Sequence, residues 1–90
     1  MNKFNYSLYK IHWEDICSDS GWASESEFNR LTVSNCISIG FIFKKTKKHL
    51  WIFSSYEIDQ HGEIQFADRT VIPLSNITTM EKIYGKETKE

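Results

Sequence analysis

The segment from Trp13 to Trp22, WEDICSDSGW, concentrates the side chains in this chain that are most able to do chemistry. It holds two indoles, three carboxylates, two hydroxyls and a thiol. Such a set could form a metal loop, a nucleophilic site, or a ligand pocket that combines an aromatic wall with a few polar groups. The structural alternative is a turn that both indoles anchor to a core, with Asp15 and Ser18 capping the turn between them.

Nucleophilic catalysis requires a nucleophile and a base within hydrogen-bond distance of each other. Cys17 lies five residues from His12 on a segment that passes from a strand into a turn, so the spacing does not bring the two together. Cys36 belongs to an apolar strand, and the sequence around it, CISIG, lacks the leading glycine of a nucleophile elbow. We therefore predict that the protein is not an enzyme and that both cysteines are structural thiols.

Metal and cofactor sites are also not expected. Zinc needs four ligands, and the two cysteines and His12, His49 and His61 show no paired spacing. Asp15 and Asp19 depart from the D-x-D-x-D-G pattern of calcium loops, whose bidentate glutamate is missing here. The acidic, serine-rich turn is expected to satisfy its own backbone through Asx-type and ST-type hydrogen bonds.

Two segments are candidates for a ligand site. In WEDICSDSGW, one indole could form a flat wall while the polar groups face a sugar or base edge. In KKTKK, the ammonium groups could hold phosphates as point charges, with a nearby aromatic side chain stacking on a base; alternatively, these lysines only keep a hairpin tip soluble. The candidate ligand-binding residues are Trp13, Asp15, Ser18, Ser20, Trp22, Lys44, Lys45, Lys47, Lys48 and Trp51.

Charge is unevenly distributed along the 90 residues, whose formal net charge is −1. Four of the 11 basic residues lie in KKTKK, whereas residues 14–27 carry five acidic residues and no lysine or arginine. Proteins that bind nucleic acid without sequence preference usually present a broad basic face. A single basic tip on an acidic body therefore predicts no nonspecific binding of nucleic acid. It is compatible with the binding of one phosphate-bearing ligand.

Hydrophobic alternation marks the elements that must position these groups. A period of two over residues 9–15 and 36–44 predicts two strands, the second with Ile37, Ile39, Phe41 and Phe43 on one face. KKTKK is expected at a hairpin tip, followed by a third strand over 49–58 that is apolar on both faces, as in a strand covered on two sides or facing a partner. Ser24 and Glu27 form a capping-box pattern that predicts a short helix of two turns.

The second half of the chain predicts shorter elements. DQHG should form a turn with Gly62 at positive φ, followed by short strands over 63–66 and 71–74. Pro73 should end that pairing or lie on an edge, and one helical turn should then lead into a closing strand. Five or six short strands with one short helix predict a mainly β fold, either a small barrel or a strongly bent antiparallel sheet.

Length and composition indicate one domain, because 90 residues cannot support a second core. We assign residues 1–84 to a single β domain and 85–90 to a polar C-terminal tail. No apolar run approaches the ~20 residues that a membrane span requires, and the N-terminus lacks an apolar signal region. We therefore expect no membrane association and a location in the cytosol of the cell that makes the protein, where thiols stay reduced.

Three motifs resemble those of a group of small uncharacterised bacteriophage proteins, over roughly residues 9–83. They are Trp13-x-Asp15 with Ser18 and Gly21-Trp22, Cys36-x-Ser38-x-Gly40-Phe41, and Val71-Ile72-Pro73 with Ile77. The first matches the W-x-D-x-x-S-x-x-G-W signature of that group. The resemblance implies a phage origin and a small SH3-like or Sm-like barrel, without an assigned activity. Small phage proteins of this size are often accessory proteins that inhibit or sequester host components, including immune signals.

These observations lead to one main functional hypothesis and two alternatives. The main hypothesis is a non-enzymatic, homo-oligomeric phage accessory protein that binds and sequesters a small nucleotide-derived host immune signal, as a counter-defence. A pocket assembled between subunits is expected, because a 90-residue barrel has little interior room. The alternatives are an interaction module that inhibits a host protein through its acidic segment, and a minor structural phage protein.

Overall fold

A computed structural model describes residues 4–85, and within them the fold is one open antiparallel sheet. The strands lie in the order β4-β3-β2-β1-β5, and β4 does not pair with β5. The mainly β, antiparallel class is confirmed, whereas closure into a barrel is not. The proposed tail, 85–90, lies outside the described residues except for Gly85. The elements are β1 (Leu8–Asp15), α1 (Glu25–Phe28), β2 (Ser34–Lys45), β3 (His49–Ile58), β4 (Ile64–Pro73), a 3-10 turn (Leu74–Asn76) and β5 (Ile77–Tyr84).

Most elements begin and end near the positions that hydrophobic alternation indicates. β3 covers the residues expected for the third strand, and β1 and β2 extend the expected strands by at most two residues at either end. Gly62 has φ 82°, as the DQHG turn requires. Pro73 ends the edge strand β4, and the single turn after it leads into β5, as expected. The helix α1 is shorter than expected, at four residues.

The two short strands expected at 63–66 and 71–74 are one continuous strand, β4. Its polar centre, which resembles a turn in the sequence, pairs with β3 through Ala67 opposite Ser55 and Arg69 opposite Phe53. The centre includes Asp68 at φ 54°, whose carboxylate accepts a hydrogen bond from the Ser55 hydroxyl at 2.6 Å. Polar side chains are tolerated here because β4 is an edge strand that faces solvent.

Strand β2 changes partners halfway along its length. Residues 34–41 pair with β1, and residues from Phe41 onward pair with β3. The change occurs at Phe41, which pairs with both neighbours. At the adjacent Gly40 a Cβ atom would lie 3.2 Å from the Phe53 carbonyl oxygen and 3.3 Å from the Ile52 side chain. Glycine therefore permits the close approach of β2 to β3.

Apolar side chains form two clusters, one on each side of β3. Because successive side chains of a strand point to opposite faces, Leu50 and Ile52 contribute to an aliphatic core with Ile11 and Ile72. Each of these four is at most 4 % exposed. Burying a side chain of this size stabilises the fold by roughly 1.5–3 kcal/mol, so this core is the main anchor of the sheet.

The second cluster is aromatic and is centred on Phe53, which is 1 % exposed. Its ring lies 4.7 Å from that of Phe66 and 5.2 Å from that of Tyr6, centroid to centroid. Phe4, Phe41 and Tyr56 complete the contacts around Phe53. β3 is thus covered on both faces at its centre, as its sequence indicates. Within residues 4–85, no helix has the length and apolar character needed to cross a membrane.

Candidate functional site

Residues 16–33 connect β1 to β2 and are exposed along their whole length; we call this segment the arm. Trp22 lies on the arm and is fully exposed. Asp19 Oδ1 accepts a hydrogen bond from the Gly21 amide at 2.8 Å, which is the local turn expected from the sequence. Asp15, at the end of β1, likewise accepts from the Ile16 amide at 2.8 Å.

Trp13 lies in the body of the protein, away from the arm. Its indole Nε1 donates a hydrogen bond to Ser38 Oγ at 3.0 Å, and its ring packs against the aliphatic core. Only one of the two indoles that bracket WEDICSDSGW therefore anchors this segment to the core. Trp22 belongs to a different surface, so the two rings do not form one wall within a single copy.

Helix α1 holds the middle of the arm in a defined shape. Ser24 Oγ accepts from the Glu27 amide at 3.1 Å, and Glu27 Oε1 accepts from the Ser24 amide at 2.9 Å, which confirms the expected capping box. The pKa of the Glu27 carboxyl is lowered, mainly by the hydrogen bond that it accepts from the Ser24 backbone amide and secondly by a side-chain hydrogen bond with Ser24. Trp22, Phe28 and Leu31 line an open groove of about 490 Å³ on this segment.

The lysines of KKTKK are divided between a strand and a turn. Lys44 and Lys45 are the last residues of β2, while Lys47 and Lys48 lie in the turn before β3. Thr46 closes this turn, because its amide donates to the His49 carbonyl at 2.9 Å and its hydroxyl accepts from the His49 amide at 3.1 Å. We call residues 44–48 the basic tip.

Lys44 and Trp51 are the two candidate residues that the fold brings into direct contact. Lys44 Nζ lies 4.3 Å from the centroid of the Trp51 ring. A cation within about 6 Å of an indole face is attracted by the ring quadrupole. The fold therefore places a lysine beside a partly buried aromatic side chain at the base of the tip.

A cleft opens beside Trp51, and we call it the aromatic pocket. Its volume is about 290 Å³. Three strands contribute to it, and its walls are mostly aromatic with two polar groups, Gln65 and Arg69. No acidic side chain is among the described residues that line it, which are Phe43, Trp51, Ile52, Phe53, Gln65, Phe66 and Arg69.

Sequence reasoning missed the β4 side of this pocket. Gln65 and Phe66 belong to the short strand expected over 63–66, but the sequence gives no reason to place that strand beside Trp51. Arg69 falls in the gap expected between the two short strands. The alternation of Ile64 and Phe66 is the signal that could have found one of them. Arg69 has no such signal, since its position depends on the register in which it lies opposite Phe53.

The candidate residues of WEDICSDSGW do not line the aromatic pocket. Asp15, Ser18, Ser20 and Trp22 lie at or beyond the end of β1, and Trp13 packs on the aliphatic core. The four lysines of the basic tip are not among the lining residues either, although Lys44 contacts the Trp51 ring. The ligand role of all these residues stays a prediction.

The thiols and imidazoles occupy separate parts of the fold. Cys17 is exposed on the arm, and Cys36 is partly buried in β2, where its thiol donates to the Ser34 carbonyl at 3.8 Å. His12 Nε2 lies 2.9 Å from Glu81 Oε2 across the β1–β5 pair. Within residues 4–85, no three His, Cys, Asp or Glu side chains come together in a group that could hold a metal ion.

Comparisons with known proteins add no functional information to this geometry. No protein-family model, curated protein or solved structure matches the chain significantly.

Proposed function

We propose that this protein is a non-enzymatic binding protein that sequesters a small nucleotide-like ligand in the aromatic pocket. The observation that carries the proposal is an apolar cleft next to the Lys44–Trp51 contact, with Arg69 in its wall. The ligand class that suits these groups has one planar ring system and one anionic group. The ring enters the pocket and the anion meets the two cations.

The aromatic walls favour a planar ring over an aliphatic ligand. Phe43 is 47 % exposed although it is apolar, and Trp51 and Phe66 are only partly buried. Their ring surfaces therefore remain accessible to a ligand. Stacking of one base on such a side chain contributes about 1–3 kcal/mol and accepts any base, because every base has a π face.

The polar groups favour an anion at one end of the ring. Arg69 presents a planar guanidinium that can bind a phosphate through two parallel hydrogen bonds. Lys44 adds a second positive charge over Trp51. Gln65 can both donate and accept hydrogen bonds through its amide, which suits the edge of a base.

The volume limits the size of the ligand. About 290 Å³ lies at the lower end of the roughly 300–1,000 Å³ that is typical of small-molecule pockets. One ring system with its phosphate therefore suits one pocket. A ligand with two linked nucleotides would require two pockets, one from each of two copies.

The resemblance to small phage proteins supports a biological setting for this binding. In that setting the ligand is a nucleotide-derived immune signal of the host cell, and the protein acts by lowering its free concentration. Sequestration needs affinity and abundance but no catalytic group, and the separated thiols and imidazoles are compatible with it.

Isothermal titration calorimetry with adenosine 5′-monophosphate and adenosine tests the proposal. We expect the monophosphate to bind more tightly than the nucleoside, because only the monophosphate carries the anion. If neither compound gave heat of binding, although circular dichroism showed a folded protein, the result would contradict binding of this ligand class.

Three variants test whether the measured heat comes from binding in the aromatic pocket. Trp51→Ala should weaken binding of the monophosphate by roughly 5- to 150-fold, which corresponds to one lost stacking contact. Arg69→Gln should reduce the preference for the monophosphate over adenosine. Lys10→Gln, on β1, is the matched control and should leave both affinities unchanged; an equal loss in Lys10→Gln and Arg69→Gln would indicate a nonspecific charge effect.

A further inference from the structure

The arm carries apolar side chains that its own copy leaves uncovered. Trp22 is fully exposed, Phe28 is 68 % exposed and Leu31 is 40 % exposed. No residue from 16 to 33 is buried. Contiguous apolar patches on soluble monomers are usually small, and larger ones mark interaction sites. The arm is therefore a surface that a partner is expected to cover.

Internal hydrogen bonds give the arm its shape without help from the sheet. Besides the capping box, the Phe28 amide donates to the Ser24 carbonyl at 2.8 Å, and the Leu31 amide donates to the Phe28 carbonyl at 3.0 Å. Trp22, Phe28 and Leu31 thereby stand together along one open groove. A preformed surface of this kind binds with less loss of conformational entropy than a disordered segment.

The charges of the same chain indicate what covers the arm. The arm contains three acidic residues, Asp19, Glu25 and Glu27, and one basic residue, Arg30. Arg30 donates a hydrogen bond to Ser26 within the arm, at 3.3 Å. The basic tip carries four lysines and no acidic residue. The two segments are complementary in charge.

The arm cannot meet the tip of its own chain. The arm ends where β2 begins, at Ser34, and the tip starts where β2 ends, at Lys44 and Lys45. The twelve residues of β2 are extended, with a rise of about 3.3 Å each, so the two segments lie at opposite ends of one strand. A second copy in the opposite orientation presents its tip to the arm.

The tip end also offers apolar surface for the arm. Phe43 directly precedes the tip and is 47 % exposed, and Val71, which pairs with Trp51, is 49 % exposed. These two side chains and the four lysines form a surface with an apolar centre and a charged rim. Specific protein interfaces have this composition.

We propose that two copies form a two-fold dimer in which the arm of each docks on the tip end of the other. Trp22 and Phe28 of one copy pack against the partner's Phe43 and Val71, and the carboxylates of the arm face the lysines of the partner's tip. A two-fold axis forms both contacts at once and leaves neither arm nor tip uncovered. The dimer forms without ligand, so its test does not need the proposed binding function. Because the docked arm covers Phe43, which also lines the aromatic pocket, the arm and a ligand compete for that wall.

Multi-angle light scattering of the purified protein, without ligand, tests the dimer. We expect the mass of two chains, and a dissociation constant at least about 10-fold higher when Trp22→Ala and Phe28→Ala are combined. Tyr84→Ala is the matched control, because Tyr84 is an exposed aromatic on β5 at 71 % exposure. A wild-type monomer at 100 μM, or a dimer that the arm variant does not weaken, would overturn the proposal.

A charge exchange tests whether the occupant is a second copy. One variant carries Ser20→Lys and Glu25→Lys in the arm, and another carries Lys45→Glu, Lys47→Glu and Lys48→Glu in the tip. Each variant alone should dissociate, since its arm and tip carry like charges. An equimolar mixture should restore the dimer, because both contacts then join opposite charges. A mixture that stays monomeric would contradict the arm-to-tip contact and favour a different protein as the arm's partner.

Discussion

Phe53 is the residue on which the aromatic cluster depends. Truncating it leaves a cavity beneath Phe66 and Tyr6, whose rings lie about 5 Å from it. We expect Phe53→Ala to lower the free energy of unfolding by about 3–5 kcal/mol, measured by urea denaturation. Tyr84→Ala removes an aromatic side chain that is 71 % exposed on β5 and should change stability by less than about 0.5 kcal/mol. Equal losses would show that the aromatic cluster is not a core.

Gly40 is the residue that allows β2 to pass close to β3. A methyl group at this position would press on the Phe53 carbonyl oxygen and on the Ile52 side chain. We expect Gly40→Ala to cost about 1–3 kcal/mol of stability, as overpacking does elsewhere. Urea denaturation measures the cost, and unchanged stability would mean that the strands can separate at this point without loss.

The β3–β4 hairpin depends on one carboxylate in its turn. Asp59 Oδ1 accepts from the backbone amides of Glu63 and His61, both at 2.9 Å, and Oδ2 accepts from the Gln65 side-chain Nε2 at 3.2 Å. The hydrogen bond from the Glu63 amide has the largest effect on the pKa of Asp59, and together these bonds lower it below its ordinary value of 3.8, against partial desolvation, which raises it. The ionised form is thus the one that the folded hairpin favours.

This carboxylate makes stability depend on pH in a defined direction. Because its folded pKa is lowered, its contribution is fully present above the ordinary value of 3.8 and is lost as the pH falls through the folded pKa. We expect Asp59→Asn to be less stable than the wild type at pH 7. The difference in the free energy of unfolding between the two should shrink as the pH falls below 3.8. Denaturation midpoints between pH 7 and pH 2 measure it.

Glu57→Gln, on β3 two residues before Asp59, is the charge-matched control for the hairpin. It should not reproduce the pH-dependent difference. A difference between Asp59→Asn and the wild type that is constant with pH would exclude the carboxylate as its source.

At the scale of elements, the sequence predicts what alternation, capping and turn residues determine locally. The strand over 49–58, the capping box at Ser24, Gly62 in its turn and the turn after Pro73 all follow from neighbouring residues. The continuity of β4 does not, because its polar centre is stabilised by pairing with β3 and by the Ser55–Asp68 hydrogen bond. Those contacts depend on the register between β3 and β4, which cannot be predicted from the composition of β4 alone.

At the scale of the whole molecule, the candidate site was only partly predictable. The neighbourhood of Lys44 and Trp51 follows from a hairpin with a known tip. Their combination with Phe66 and Arg69 requires the sheet order, in which β2 and β4 flank β3. The separation of Trp13 from Trp22 could not be predicted from the sequence either. Two indoles nine residues apart can line one pocket or, as here, lie on separate surfaces.

The three tryptophans allow one measurement to locate the ligand directly. Each indole Nε1–H gives one signal in a ¹⁵N–¹H correlation spectrum, and single Trp→Phe variants assign the three. During titration with adenosine 5′-monophosphate, we expect the signal of Trp51 to move and saturate. The signal of Trp13, which is held by Ser38, should stay in place. A Trp51 signal that does not move at millimolar ligand, or a shift confined to Trp22, would contradict binding in the aromatic pocket.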